Sequence, residues 1–309
     1  MKIILSAEST IDLPKEIIEK MGIPQIHFTI ERGGEVFRDD KYSVGELFEY
    51  TEKTGKMCHT SAPNVGEYKV FFNDLLKEYD QIIHFTISSK LSSSYSNACI
   101  AAEGNPNIKI IDSRSTSGTI AGLFFYAKEM LEAGYTAEEI YNEIIKRREH
   151  TATSFLITDL KYLHKGGRCS GLGYLASKIL SLRPVIRTAE DGSFKVWKTY
   201  RGDTQKCIYK SVRDSLKQHD NIDKTNAFIN ISTCDQETIN GVRDILKEFG
   251  FENIYLGIAS PVNAYHAGPG VVGVQFLYDG KHEVVPKKHK SLKDSFSLIR
   301  SLKPIQTID

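Results

Sequence analysis

Residues 81–95 read QIIHFTISSKLSSSY, an apolar run that ends in five serines within seven positions and passes at once into a helical pattern. A continuous apolar strand bounded by helices is the pattern of a parallel sheet covered on both faces. The serines at its carboxyl end suggest an anion site, because the first amides of a helix lack partners and point outward. A second hydroxyl cluster, His59-Thr60-Ser61-Ala62-Pro63, precedes another helix start. Two such ends can converge on one ligand.

The flanking sequence repeats the alternation. Strand patterns at 2–6 and 24–30 enclose a helical run at 13–21, where Ile17, Ile18 and Met21 recur on one face. Residues 65–79 form the best-marked helix, with Asn64 placed to cap it and Glu67 placed to complete a capping box. Strands at 81–87 and 108–111 and helices at 92–103 and 117–133 complete an N-terminal α/β/α domain with a parallel sheet. Ligands in such sheets sit beyond the carboxyl ends of the strands, and three of these ends carry hydroxyls or acids: Glu8-Ser9-Thr10, the 88–94 serines and Asp112-Ser113.

From about residue 153 the pattern changes. A strand at 154–158, a helical turn at 159–164, a Gly166-Gly167 break and a helix at 174–182 lead into a hairpin, 184–188 with 194–198, around Asp191-Gly192. Helices at 204–217 and 237–249 then interleave with strands at 227–231, 253–259 and 271–278. The chain therefore reads as an α/β protein of two domains, residues 1–155 with a parallel sheet and residues 156–285 with a mixed sheet, and a cleft between them. Residues 286–309 form a C-terminal extension with one amphipathic stretch at 292–302.

Composition narrows the function. At 309 residues the chain exceeds what one core usually organises. Forty Lys plus Arg against 39 Asp plus Glu leave a formal net charge of +1, so no global field recruits nucleic acid or an anionic membrane. The apolar start is too short for a secretory signal and no later run approaches the ~20 residues of a spanning helix, which gives a cytoplasmic reading. Five widely spaced cysteines contain no CxxC, so neither a disulfide framework nor a zinc site is expected.

Nucleotide motifs fail on context. Residues 268–273 match GxGxxG and residues 171–176 match its Ala variant, yet neither lies between a strand and a helix. No GxxxxGK[ST] or GxSxG is present. The hydroxyl clusters carry more. A cap explains one serine, Ser92, and leaves the other four; Asn64 already caps the next helix, so Thr60 and Ser61 are surplus to it. Ser93 and Ser94 lie just inside the helix, where they can face either way, and Lys90 is read as solvated. Gly166-Gly167-Arg168 offers a guanidinium after a flexible backbone, able to pair with a carboxylate or phosphate or to remain a solvated helix end. His266, in Ala264-Tyr265-His266-Ala267-Gly268-Pro269-Gly270, is read as lying in a stiff turn where an imidazole can donate to an anion or titrate near neutral pH.

Six ordered stretches together resemble the DegV family of cytosolic bacterial lipid-binding proteins, over about the first 280 residues. They are Ser9-Thr10-Ile11-Asp12-Leu13-Pro14, Thr60-Ser61-Ala62-Pro63, residues 87–95, Ile111-Asp112-Ser113, Leu163-His164-Lys165-Gly166-Gly167-Arg168 and His266-Ala267-Gly268-Pro269-Gly270. The resemblance implies a long-chain fatty acid between the two domains and no other cofactor. Its carboxylate is then bound at Thr60 and Ser92, with Ser61, Ser93, Arg168 and His266 nearby. It further implies a carrier rather than an enzyme, which presents the carboxyl to an ATP-dependent fatty acid kinase subunit. The acyl phosphate would then pass to phospholipid synthesis through an acyltransferase, with transient membrane contact.

The chain departs from the family pattern at three places. Glu8 stands where aspartate is usual, Ser93-Ser94 where Gly-Thr is usual, and the extension beyond about residue 283 has no counterpart. The first two affect how closely backbone amides approach a head group. The implied ligand is energetically consistent: about 14 buried methylenes of a C16 chain contribute roughly 11 kcal/mol before association costs. A desolvated carboxylate needs two or three donors at ~1.5 to 3 kcal/mol each. Two other classes stay open, a serine-dependent small-molecule hydrolase or phosphotransferase using Ser92 or His266, and a lipid-responsive adaptor.

Overall fold

The computed structural model describes residues 1–169 and 182–287. A parallel sheet holds β1 (Ile3–Glu8), β2 (Gln25–Ile26), β6 (Gln81–Thr86) and β7 (Ile108–Asp112) in the order β2-β1-β6-β7. Helices α1 (Lys15–Met21), α2 (Val44–Thr54), α3 (Val65–Leu75), α4 (Ser94–Ala102), α5 (Gly118–Glu132) and α6 (Ala137–Arg147) belong to the same half. The cap expected at Asn64 is present, with Asn64 and Glu67 exchanging bonds between side chain and backbone.

The sequence reading ran residues 24–30 together as one strand. The structure breaks it: β2 ends at Ile26, and β3 (Thr29–Arg32) turns at Gly33-Gly34 into β4 (Glu35–Arg38). Both glycines have positive φ, 66° and 93°, which a two-residue hairpin of this kind requires. β5 (His59–Ser61) adds to β3 on its other edge, so a small antiparallel sheet carries Thr60.

The second sheet has six strands in the order β10-β9-β8-β13-β11-β12: β8 (Thr151–Leu156), β9 (Leu182–Thr188), β10 (Phe194–Arg201), β11 (Asp223–Ile231), β12 (Asn253–Ile258) and β13 (Val272–Leu277). Only β11 and β12 pair in parallel, as a mixed sheet requires. β8 pairs wholly within this sheet, so residues 151–155 join the second half by hydrogen bonding. Helix α7 (Leu160–Gly166) follows β8. Helices α8 (Thr204–Leu216) and α9 (Gln236–Glu248) pack their apolar faces on one side of the sheet. Helix α10 (Pro261–Ala267) joins β12 to β13. The expected helix at 174–182, the Gly-Leu-Gly segment before it and the amphipathic 292–302 stretch lie outside the described residues, apart from Leu182, which opens β9.

α5 joins the two halves. It is buried from Gly118 through Ala127, with Phe124 against Phe85 of β6 and Phe125 against Phe228 and Tyr255 of the second sheet. Gly118 allows the close approach, since a Cβ there would stand 2.2 Å from that of Phe228. One continuous apolar core therefore runs from Leu5 of β1 to Leu277 of β13. Among the described residues no helix is long and apolar enough to cross a membrane.

Candidate functional site

The five serines after β6 have five different fates. Ser88 donates to the carbonyl of Gly192 at the hairpin tip of the second sheet (2.8 Å), and Ser89 binds the Asp112 carboxylate through hydroxyl (2.6 Å) and amide (3.1 Å). Ser92 accepts the Ser94 amide at 3.2 Å, and among the described residues no acceptor engages its own proton. Ser93 occupies the N-cap position of α4, is exposed and makes no side-chain cap. The cap expected at Ser92 is therefore a weak bond from one residue before the N-cap. Ser93 has φ −76° and ψ −3°, open to any L residue, so a side chain in place of the family's glycine imposes no backbone strain.

Glu8 organises this turn from below. The carboxyl is fully buried, and its Oε2 accepts the Ile87 amide at 2.8 Å and the Thr10 hydroxyl at 3.2 Å, while Oε1 accepts the Tyr68 hydroxyl at 2.5 Å. Ser94 adjoins the same groups, although its hydroxyl meets hydrogen-bond geometry with neither. Burial raises the Glu8 pKa to about 7 against the opposing hydrogen bonds, led by Ile87. The extra methylene relative to aspartate thus ends in a buried anchor for the turn.

Thr60 and His266 meet from opposite halves of the molecule, Oγ1 to Nε2 at 2.7 Å. His266 lies in α10 and not in a turn. Ser260 caps that helix and Pro261 occupies its first turn, a start signal that the 264–270 reading overlooked. The neighbouring Tyr265 hydroxyl meets Thr51 Oγ1 at 2.7 Å and accepts the Cys58 amide at 2.8 Å, which fixes the entry to β5. Gly166 allows the imidazole its position, because a Cβ there would stand 2.5 Å from His266 Nδ1. Gly167 ends α7 in the left-handed region at φ 70°. Arg168, exposed, then reaches back to the Leu91 carbonyl at 3.4 Å.

Burial, then the Arg168 charge, lowers the His266 pKa to about 4. The ring is neutral at pH 7, which corrects the expectation of an imidazole titrating near neutrality. It can still donate or accept one hydrogen bond at Nε2.

Thr60, Ser92, Arg168 and His266 line one cavity, whose walls include Phe28, Leu91, Phe155, Phe194, Val262 and Val271. Ser61 and Ser93 are exposed and do not line it. Four polar groups, one cationic, can supply the donors an anion needs, while the aromatic and aliphatic walls suit an apolar body. The free volume of about 90 Å³ lies below the roughly 300–1,000 Å³ of typical ligand pockets, so a long chain requires the walls to separate.

The reading from sequence missed the polar residues on the far wall. Asn230 and Gln275 face the first half from within apolar strands, Phe-Ile-Asn-Ile and Val-Gly-Val-Gln-Phe. A lone amide in a buried strand was the available signal. Asp12, quoted only within a motif, is buried with φ 52° and receives bonds from Ser117, Asn263 and the Ser260 amide.

Relatives share this architecture. A DegV domain-containing protein of Caldanaerobacter subterraneus is 30% identical over 279 residues, covering 89% of this chain and 98% of its own. A solved DegV family protein from Thermus thermophilus, described as fatty acid binding, matches with TM-score 0.81 and 25% identity over 90% of this chain and 100% of its own. The Fatty Acid Kinase (Fak) B3 protein of Streptococcus pneumoniae, solved loaded with linoleic acid, has the same fold at TM-score 0.77 and 21% identity, over 90% of this chain and 100% of its own. Residues 2–279 match the sequence model described as an uncharacterised protein of the DegV family, and the chain belongs to that family.

Proposed function

We propose that this protein is a carrier that binds a long-chain fatty acid between its two halves, with the carboxylate held by Thr60, Ser92, Arg168 and His266. The carrying observation is the convergence of these four residues on one cavity with apolar walls. The Ser92 proton is available to a carboxylate, and the Thr60–His266 pair supplies at least one further donor. The Thermus relative described as fatty acid binding supports the ligand class. Presentation of the carboxyl to an ATP-dependent kinase and transfer of the acyl phosphate to a phospholipid-synthesis acyltransferase extend the same reading, supported by the fold shared with the Fak B3 protein. Ser61 and Ser93 have no part in the head-group site.

A serine hydrolase is the weaker reading, because His266 addresses Thr60 and among the described residues no imidazole engages Ser92. Native mass spectrometry of the purified protein is the first test: a co-purifying long-chain acid is expected, and a protein that stays empty when acids are added overturns the proposal. Ser92→Ala and Thr60→Ala should each weaken carboxylate binding by roughly tenfold or more, at ~1.5 to 3 kcal/mol per bond to a charged group. Unchanged affinity in both removes the head-group assignment.

A further inference from the structure

The far wall of the cavity holds a polar atom that the carboxylate site does not use. Gln275 is 2% exposed, lines the cavity, and its Oε1 has no hydrogen-bond partner. Two other buried side-chain atoms among the described residues share that condition, His84 Nε2 and Ser94 Oγ, and neither residue lines the cavity.

The other polar side chains along this wall are committed. Asn230 accepts the Gly118 amide and donates to the Asp12 carbonyl, Asn263 donates to Asp12, and Ser232 accepts the Val271 amide. Thr153, directly across the sheet from Gln275, is held by Ser115 and Thr119. The backbone is also shaped around the amide. Gly273 lies two residues away on the same face, and a Cβ there would stand 2.8 Å from Gln275 Nε2.

An uncompensated buried amide oxygen is costly in an acyl-chain cavity, and a pure hydrocarbon tail cannot relieve it. The geometry points to a second subsite in which Gln275 binds a hydroxyl carried along the acyl chain, so that hydroxylated long-chain fatty acids are a preferred ligand class. A hydroxyl suits the amide particularly well, since it can donate to Oε1 and can also accept from an N–H. The inference rests on the fatty-acid reading and adds a determinant of which fatty acids bind.

The test compares stearic acid with stearic acids hydroxylated at successive carbons, using the full chain stripped of lipid. Burying a chain hydroxyl without a partner lowers affinity by roughly tenfold to a hundredfold. One position is expected to escape that loss and to bind at least as tightly as stearate. In Gln275→Met, of similar length and apolar, stearate affinity should hold or rise while the favoured isomer drops by about tenfold or more. A uniform penalty at every position in the native protein overturns the subsite, and that comparison does not depend on the variant's folding. Failure of stearate itself to bind overturns the fatty-acid reading instead, so the two failures are distinct.

Discussion

Glu8 is a buried acid with no cation among its hydrogen-bond partners, and its pKa of about 7 makes it a liability that depends on pH. The folded value lies above the unfolded 4.5, so between these two the native state holds the extra proton. Stability from this group is therefore full below about pH 4.5 and declines as pH rises toward 7, by about 3 kcal/mol in all. Glu8→Gln should remove that slope. Urea unfolding of both proteins at about pH 5 and about pH 8 should show the variant gaining on the native chain by about 3 kcal/mol across the interval. A constant difference would mean that Glu8 does not carry the proton. At this scale the sequence was partly legible: Ser92 and Thr60 stood out because caps could not account for every hydroxyl nearby. The separate partners of Ser88 and Ser89, Gly192 and Asp112, lie far off in the chain, and no local spacing encodes them.

At the scale of elements, the site depends on how α10 and α7 are set against β5. Tyr265→Phe deletes the hydroxyl that meets Thr51 and accepts the Cys58 amide, leaving that buried N–H unpaired. A cost of about 1–3 kcal/mol is expected. Fatty-acid affinity should fall with it, because the entry to Thr60 loosens. Calorimetric unfolding and ligand titration read the two effects, and normal affinity at reduced stability would separate β5 placement from head-group binding. Gly166→Ala acts from the other side: its methyl must displace the His266 ring or the α7 backbone, costing about 1–3 kcal/mol by overpacking and weakening carboxylate binding. The Gly166-Gly167 pair was visible in the sequence as a break. Its purpose at Gly166 was not, because a close approach to His266 across 100 positions leaves no periodic trace. The Gly33-Gly34 hairpin was readable from its turn residues and was overrun by the apolar stretch before it.

For the whole molecule, the two-domain α/β arrangement follows from the switch between continuous apolar strands with intervening helices and the hairpin-containing second half. The contact between the halves does not, since it is built from single polar residues far apart in sequence. Asp12 is its centre: Oδ1 accepts the Ser260 amide at 2.8 Å, Oδ2 accepts Ser117 at 2.5 Å and Asn263 at 2.8 Å, and its carbonyl accepts Asn230 at 2.9 Å. Three of these partners come from the second half, and the network lies against the cavity. Asp12→Ala strands the Ser260 amide and removes the acceptor of the Ser117 hydroxyl, while Asn263 keeps its bonds to the Thr10 carbonyl and the Thr116 hydroxyl and Asn230 keeps its bond to the backbone. A loss of about 3 kcal/mol is expected, the scale of removing one partner from a buried charged network. Under the proposed function the cavity widens to admit a long chain, and the same change should loosen the boundary between the halves in the empty protein. Amide exchange at Ser260 and Asn263 should then quicken more than exchange in β6 or β11. Saturating fatty acid should restore part of the lost stability by mass action on the folded state. If Asp12→Ala costs less than about 0.5 kcal/mol, the ordinary range for neutral surface changes, the halves are held by the α5 core alone and Asp12 has no part in setting the cleft.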